Sequence, residues 1–229
     1  MDDRDVILEC KCQERGGTVV RSVKLAQLSF ERVQFLWEKL SKFDVLFNDF
    51  VKDDFAAFVN HFIVQIDGKP APAGLFWDVD DVGIILVNNI VPFQSATSHF
   101  VFWDKILKGR EDLCREMLRY GFKTYKFRRI KVEVPLYAEG VRRFVQRIGF
   151  IQEGRLRKAT LWRGDWFDVH VFSILPEDLD ALPNHIPWGV YHNTCQKCGE
   201  VYNKEHKTKR AGATRGWSNK KGEDVNVGT

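Results

Sequence analysis

The sequence predicts an α/β protein in which helices cover a mixed sheet. The apolar spacing switches repeatedly between the helical period and strict alternation, in the order strand, two helices, short strands, helix, strand, helix, hairpin. Apolar residues make up 44% of the 229 residues and include 18 Phe and 7 Trp, which is enough for a sizeable core. We therefore expect one domain with an appendage.

The first elements are predicted to be a strand and two amphipathic helices. The strand is expected over residues 18–25. Ser29 is placed as the N-cap of a helix whose apolar residues recur at helical spacing up to Leu40. A second helix is predicted from about Asp44 to His61, because its phenylalanines and valines form a broad apolar face.

The middle of the chain is predicted to be a run of strands. Residues 62–67 and 73–79 are read as a hairpin around the turn Asp67-Gly68-Lys69-Pro70. Two further strands are expected at residues 83–91 and 98–103.

The second half predicts two helices separated by a strand and followed by a hairpin. The helices are expected at residues 110–122 and 139–148, and the strand at 129–135 alternates until Pro135 ends it. The closing strands are expected at residues 150–162 and 167–175.

The charge is placed unevenly along the chain. Eight basic and four acidic residues lie from Gly189 onwards and account for the whole net charge of +4. The preceding residues are neutral, so charge gives no support to nucleic-acid binding by the domain. The sequence lacks an apolar run of the roughly 20 residues that a membrane span needs, and its start is acidic. We therefore expect a soluble, cytoplasmic protein without membrane contact.

The five cysteines are an odd number in a long, core-rich chain, which favours reduced thiols or a metal site over a disulfide framework. Cys195 and Cys198 form a Cys-x-x-Cys-Gly turn of the kind found in zinc knuckles. The four candidate zinc ligands are Cys195, Cys198, His192 and His206. Cys10 and Cys12 are a second close pair that could complete such a site, and a pair of thiols without metal stays an alternative.

Residues 189–229 are predicted to be a basic tail, and from Lys204 onwards the tail is almost devoid of apolar residues. Such an arm could contact nucleic acid or an acidic protein partner, or it could serve only to keep the protein in solution.

Four short motifs follow one another in the second half of the chain: Leu118-Arg-Tyr-Gly-Phe122, Arg129-Ile130, Arg147-Ile-Gly-Phe150 and Glu153-Gly-Arg-Leu-Arg157. In this order they resemble the GNAT superfamily of acyl-CoA N-acyltransferases, and within it the branch of the ribosomal-protein N-terminal acetyltransferases. The resemblance covers about residues 112–176.

The resemblance implies a GNAT-type domain over residues 1–188, with a mostly antiparallel central sheet flanked by about four helices. Two parallel strands, here 98–103 and 129–134, would be splayed apart around acetyl-CoA. The implied activity is transfer of an acetyl group to an amine of a protein or a small molecule, by direct attack in a ternary complex.

The resemblance also indicates where the cofactor would bind. Its pyrophosphate would lie on backbone N–H groups at a turn that leads into the helix at Arg110. The candidate residues are Phe102, Trp103, Lys105, Lys108, Gly109 and Arg110. The family turn usually carries two glycines, whereas Gly109 is the only one here, so a plain basic connector is an alternative.

The catalytic residues of the family are altered. Its branch often carries Asn and Ser where Ala138 and Val141 stand, and other members carry a tyrosine acid on the face occupied by Phe144 and Val145. The substitutes that we consider for proton transfer are Tyr137, Glu133 and Glu139. The favoured alternative is that Tyr137 is a packing residue and Glu133 lies on the solvated face of its strand, and His170 is either structural or faces the acceptor.

These departures leave a second function open. The chain could be a catalytically degenerate GNAT scaffold that serves as a binding or assembly module, for example in a virus, where the host cytoplasm or the virion would be its location. A phage protein is one such possibility, and the residues do not indicate the acceptor or the oligomeric state.

Overall fold

The computed structural model describes residues 6–14, 17–103 and 109–181. The elements of the first half are β1 (Val6–Glu14), β2 (Gly17–Leu25), α1 (Phe30–Leu40), α2 (Phe55–Val59), β3 (Ile63–Ile66), β4 (Lys69–Pro72), β5 (Leu75–Val79), β6 (Gly83–Val91) and β7 (Ser95–Phe102). The elements of the second half are α3 (Arg110–Tyr125), β8 (Arg129–Pro135), α4 (Glu139–Ile148), β9 (Ile151–Trp162), β10 (Asp165–Ile174) and α5 (Pro176–Asp180).

Eight strands form one sheet in the order β1-β2-β5-β6-β7-β8-β10-β9, and β3 and β4 form a separate two-stranded sheet. Every neighbouring pair is antiparallel except β7 and β8, which are parallel. The expectation of a mixed, mostly antiparallel sheet is therefore confirmed, with five helices in the described residues instead of about four.

The parallel pair is joined over a short length only. Its three matched pairs are Ser95 with Arg129, Ala96 with Ile130, and Thr97 with Lys131. Both strands continue beyond the last pair, β7 to Phe102 and β8 to Pro135. We call the opening between Ser98–Phe102 and Val132–Pro135 the β7–β8 gap. Its presence agrees with the splayed pair that the family resemblance implies.

The two faces of the sheet carry separate hydrophobic cores. One face packs against α3, α4 and α5 and buries, among others, Trp77, Ile85, Leu113, Val132, Val145, Ile148 and Phe172. The other face packs against α1, α2 and the segment between them and buries Val33, Leu36, Leu40, Val51, Phe58, Phe62, Phe76 and Ile84. The gap therefore lies between two helical layers.

Local signals predicted several elements well. The Oγ of Ser29 accepts a hydrogen bond from the N–H of Arg32 at 3.2 Å and caps α1, as expected. The bounds of β8 and α4 agree with the prediction, and α3 runs three residues beyond Phe122. In the described residues no helix is long and apolar enough to span a membrane.

The predicted helix from Asp44 to His61 is wrong. The chain forms successive turns up to residue 53, and only α2 is helical. In this segment polar side chains form hydrogen bonds with nearby backbone N–H groups, which are then not free for a continuous helix. Asn48 accepts from the N–H of Phe50, and Asp54 caps α2 through the N–H of Ala57. These local bonds compete with helix formation despite the apolar spacing.

Other elements also differ from the prediction. β1 precedes the predicted first strand and pairs with β2 as a hairpin. β3 pairs with β4, whereas β5 joins the large sheet between β2 and β6. Strand partners depend on contacts far apart in sequence, so alternation alone did not identify them. The short helix α5 was not predicted.

Candidate active site

The backbone of the two splayed strands turns hydrogen-bonding groups towards the gap. On β7 the N–H of Trp103 donates to the carbonyl of Val82 at 3.1 Å, so Phe100 and Phe102 direct their N–H and C=O groups to the opposite side. Directly after β8 the N–H of Leu136 donates to the backbone carbonyl of Asp168, so by the same alternation Glu133 directs its backbone to the gap. These groups have no ladder partner across the gap, since pairing ends at Thr97.

The two faces of the gap differ in chemistry. Aligned residues of parallel strands share a face, so the pairing of Thr97 with Lys131 puts His99 and Glu133 on one face as well. This is the face covered by α1, because Val101 two residues on packs into that core. The opposite face carries apolar side chains under α3 and α4, including Phe100, Phe102, Val132 and Val134.

The start of α3 has features of an anion site. Gly109 is its N-cap and adopts a φ of +82°, a conformation that favours glycine. The carbonyl of Gly109 accepts from Asp112 and Leu113, both at 3.1 Å, and the N–H groups of Arg110 and Glu111 make no hydrogen bond to the described residues. Such N–H groups attract anions.

The acidic side chains at this helix start are neutralised. Glu111 is paired with Arg147 at 2.8 Å, and Asp112 is paired with Arg115. Arg110 makes no ion pair within the described ranges, and its guanidinium lies 5.4 Å from the centre of the Phe144 ring. Among the described residues of the first turn, Arg110 thus carries the charge that no ion pair compensates.

Phe102 and Trp103, both predicted to bind the cofactor, pack into different cores. Phe102 at the end of β7 meets Phe144 edge to face, with ring centres 6.3 Å apart. Trp103 packs into the opposite core and donates its indole N–H to the carbonyl of Asp81 at 2.5 Å. Phe102 and Arg110 therefore both contact Phe144, whereas Trp103 lies on the other face of the sheet. Lys105 and Lys108 lie outside the described residues.

Tyr137 follows β8 and is held by aromatic contacts. Its ring stacks on Trp162 with centres 4.4 Å apart and planes 15° apart, and it meets Phe167 edge to face. Burial raises the pKa of Tyr137, which a hydrogen bond with Thr160 partly offsets. The tyrosine is therefore kept protonated and able to donate a proton.

Two further contacts hold the ring of Trp162 in place. The guanidinium of Arg163 lies 4.4 Å from its centre, and its indole N–H donates to the carbonyl of Asp44 at 3.1 Å. Arg163 in turn pairs with Asp44. Sequence analysis missed this support for Tyr137, because Asp44 and Trp162 are 118 positions apart.

The two predicted glutamates have different surroundings. Glu139 begins α4 and accepts two hydrogen bonds of 2.6 Å from Arg142, which lower its pKa below the usual value. Glu133 is exposed on β8 and lies 3.9 Å from Lys131. Glu133 is thus accessible at the gap, and Glu139 is held as an ion pair; their catalytic roles stay predictions.

His99 is a polar residue of the gap that sequence analysis did not single out. It is half-buried, and its Nε2 lies 3.3 Å from Oδ1 of Asn88. Burial, with a smaller effect from His61, lowers the pKa of His99 to about 4. The only sequence signal for His99 was its position as a histidine within a strand of alternating residues.

His170 is aligned with Val134 and lies on the other face, beneath α4.

The zinc prediction falls on residues outside the described ranges, namely Cys195, Cys198, His192 and His206. Within the described ranges there is no group of three or more His, Cys, Asp or Glu residues that could hold a metal ion.

Comparison with protein-family models gives no match. A stretch of 112 residues, 48% of this chain, is 25% identical to YdaF of Bacillus subtilis (strain 168), whose assignment as a ribosomal N-acetyltransferase is itself provisional. The match spans 61% of the length of that relative.

Solved structures share the fold. An acetyltransferase of the GNAT family from Bacillus anthracis matches with a TM-score of 0.51 at 20% identity, over 74% of this chain and 99% of that one. Spermidine N-acetyltransferase from Vibrio cholerae, solved with CoA and spermine, matches with a TM-score of 0.53 at 17% identity, over 69% and 97%. The chain therefore has the fold of the GNAT acetyltransferases.

Proposed function

We propose, from this GNAT fold and the open β7–β8 gap, that the protein is an acetyl-CoA-dependent N-acetyltransferase. The observation that carries the proposal is that pairing of β7 with β8 stops after three residue pairs although both strands continue. The unpaired groups of Phe100, Phe102 and Glu133 can bind the polar atoms of an extended ligand. Unpaired backbone groups are costly unless a partner meets them, so the gap suits such a ligand.

Acetyl-CoA fits the residues around the gap. Its phosphates would be held by the N–H groups of Arg110 and Glu111 and by the guanidinium of Arg110, which has no ion-pair partner among the described residues. Gly109 permits close approach of the backbone there, in place of the usual pair of glycines. When bound, acetyl-CoA supplies a thioester whose carbonyl carbon accepts the amine and whose thiolate leaves.

The protein contributes positioning and proton transfer. The backbone N–H groups of β7 can polarise a carbonyl placed in the gap, and this kind of stabilisation is commonly worth several kcal/mol, about 2.7–4 for one donor. Tyr137 is the proton donor that we assign to the leaving sulfur, because burial keeps its hydroxyl protonated. Glu139 is less suited to donate a proton, since Arg142 holds it as a carboxylate.

The acceptor is an amine. Two classes of acceptor are compatible with the comparisons, a polyamine such as spermidine and the amino terminus of a protein. The chain is too distant from either relative for its acceptor to be taken from them. An assay therefore includes both spermidine and a short peptide with an unblocked amino terminus.

The first test is titration calorimetry of acetyl-CoA into the full chain. We expect micromolar binding, which the Arg110→Ala change weakens about tenfold, the effect of one charge-assisted contact of roughly 1.4 kcal/mol. Arg119→Ala is the matched control, because Arg119 lies on the same helix and pairs with Glu116. No heat at millimolar acetyl-CoA would contradict the proposal and favour a scaffold without this activity.

A further inference from the structure

We propose that His99 is the catalytic residue that removes the proton from the acceptor amine, an inference that rests on the proposed transferase function. In the step, the nitrogen lone pair forms the new C–N bond and the N–H proton passes to Nδ1 of His99. The C–S bond breaks, and the sulfur leaves with the electron pair and takes the proton of Tyr137. Exchange with solvent then restores both side chains.

The position of His99 in the sheet is the first observation. It lies two residues beyond Thr97, the last residue of β7 that is paired with β8. Its backbone bonds to β6, because the alternation that turns Phe100 to the gap turns His99 away. Its side chain projects from the sheet at the edge of the gap, on the face opposite α4, which by strand alternation is also the face of Glu133 on β8.

The hydrogen bond of His99 leaves a basic nitrogen available. Asn88 Oδ1 is an acceptor, so Nε2 of His99 is the nitrogen that carries the proton. Nδ1 then carries the lone pair, and it has no hydrogen-bond donor in the described part of the chain. The side chain is half-buried, so this nitrogen is held in place without being sealed.

A second polar group beside His99 also lacks a partner. The hydroxyl of Thr97 is buried and makes no hydrogen bond to the described residues. Thr97 shares the face of His99 and is aligned with Asn88 on β6. Buried hydroxyls are rarely left without a partner in proteins, so a water or a polar ligand is expected at Thr97, as it is at Ser98 on the other face.

The protonation state of His99 suits a proton acceptor. Its pKa of about 4 means that it is neutral at physiological pH, and the main cause is burial. Among the described residues, the titratable group that acts on His99 is His61, two residues beyond α2, and the charged residues on the same face of β8 are Lys131 and Glu133. An amine becomes a far stronger acid once its lone pair enters a new bond, so a weakly basic imidazole can take the proton at that moment.

The test compares His99→Gln with His170→Gln, a histidine on the other sheet face, with spermidine and a free-amino peptide as acceptors. We expect His99→Gln to lower kcat at least 100-fold with an unchanged Kd for acetyl-CoA, and His170→Gln to stay within twofold. Asn88→Leu, which releases Nε2, is expected to lower kcat about tenfold and serves if His99→Gln does not fold.

A second readout does not depend on turnover. In ¹⁵N-histidine NMR spectra of the protein saturated with acetyl-CoA, an added acceptor should shift Nδ1 of His99 and leave His170 unmoved. An active wild type together with unaltered kcat in His99→Gln overturns the role of His99 and leaves the transferase proposal standing. Absence of acetyl-CoA binding in the wild type overturns the transferase proposal itself. Absence of an Nδ1 shift counts against His99.

Discussion

The carboxylate of Asp49 accepts a hydrogen bond of 2.7 Å from the backbone N–H of Gly164, although the two residues are 115 positions apart. The same carboxylate accepts from the N–H of Arg163 at 2.8 Å. The segment between α1 and α2 is thereby attached to the turn between β9 and β10, next to the stack of Trp162 on Tyr137.

We expect Asp49→Ala to destabilise the fold by about 1–2 kcal/mol, since two charge-assisted bonds at a partly exposed site are lost. Urea unfolding should show a lower midpoint with an unchanged slope. Asp53→Ala, in the same segment, should change the free energy of unfolding by less than about 0.5 kcal/mol. Equal effects of the two changes would show that the attachment is not specific.

Tyr137→Phe should lower kcat by about 100-fold while the Kd for acetyl-CoA stays the same, because the change removes only the hydroxyl that we propose as proton donor. The raised pKa of Tyr137 means that the donating form persists to higher pH than for an ordinary tyrosine, so activity should not fall until the pH exceeds about 10. The pH dependence of kcat measures this. Tyr125→Phe, beneath α3, is the control, and an equal loss there would argue against a specific role.

Arg115→Met should destabilise the protein by about 2–4 kcal/mol. Arg115 is buried and donates to the carbonyls of Ile148 and Arg147 at the end of α4, so its removal leaves buried carbonyls without partners. Thermal unfolding followed by circular dichroism measures the loss. Arg119→Met on the exposed side of α3 should have little effect, and a comparable loss in that variant would contradict the explanation.

Because of His99, the free energy of unfolding should fall as the solution becomes acidic. The unfolded chain takes up this proton near pH 6.5 and the folded chain only near pH 4, so stability is intact above about 6.5 and is lost as the pH falls to 4. His99→Gln should reduce this loss by about 2 kcal/mol, allowing for partial exposure. Urea midpoints at pH 7 and pH 4.5 measure the difference, and an unchanged pH dependence would show that His99 is not buried as described.

Gly121→Ala should stabilise the fold by about 1 kcal/mol, because glycine is unfavourable within a helix. An added Cβ would meet Ile130 at 3.6 Å, an ordinary contact, beside an apolar cavity of about 20 Å³. Melting temperature measures the gain. Gly74→Ala is the opposing control, because its Cβ would lie 2.2 Å from the carbonyl oxygen of Val87 and must destabilise.

The fold was predictable where a segment contains its own signals. The strand ended by Pro135 and the helix ended at Gly149 depend on neighbouring residues, and both were placed correctly. The segment 44–54 was not, because Asp49 bonds to a turn more than a hundred residues away. The same holds for β5, whose partners are set by the folded sheet.

The site was predictable only in part for the same reason. Tyr137 was identified by its position at the end of a strand, but its stacking on Trp162 needs residues from the closing hairpin. His99 appeared as one residue of an alternating strand, and only the end of pairing at Thr97 shows that it borders an opening.

The sheet divides at its parallel pair into two contiguous stretches of chain. All the strands on one side, β1, β2, β5, β6 and β7, lie within residues 6–102, and all those on the other lie within residues 129–174. During synthesis the first stretch can therefore complete each of its ladders before β8 leaves the ribosome. Only three residue pairs must then form between the two stretches, so the junction that shapes the site joins parts of the sheet that are synthesised one after the other.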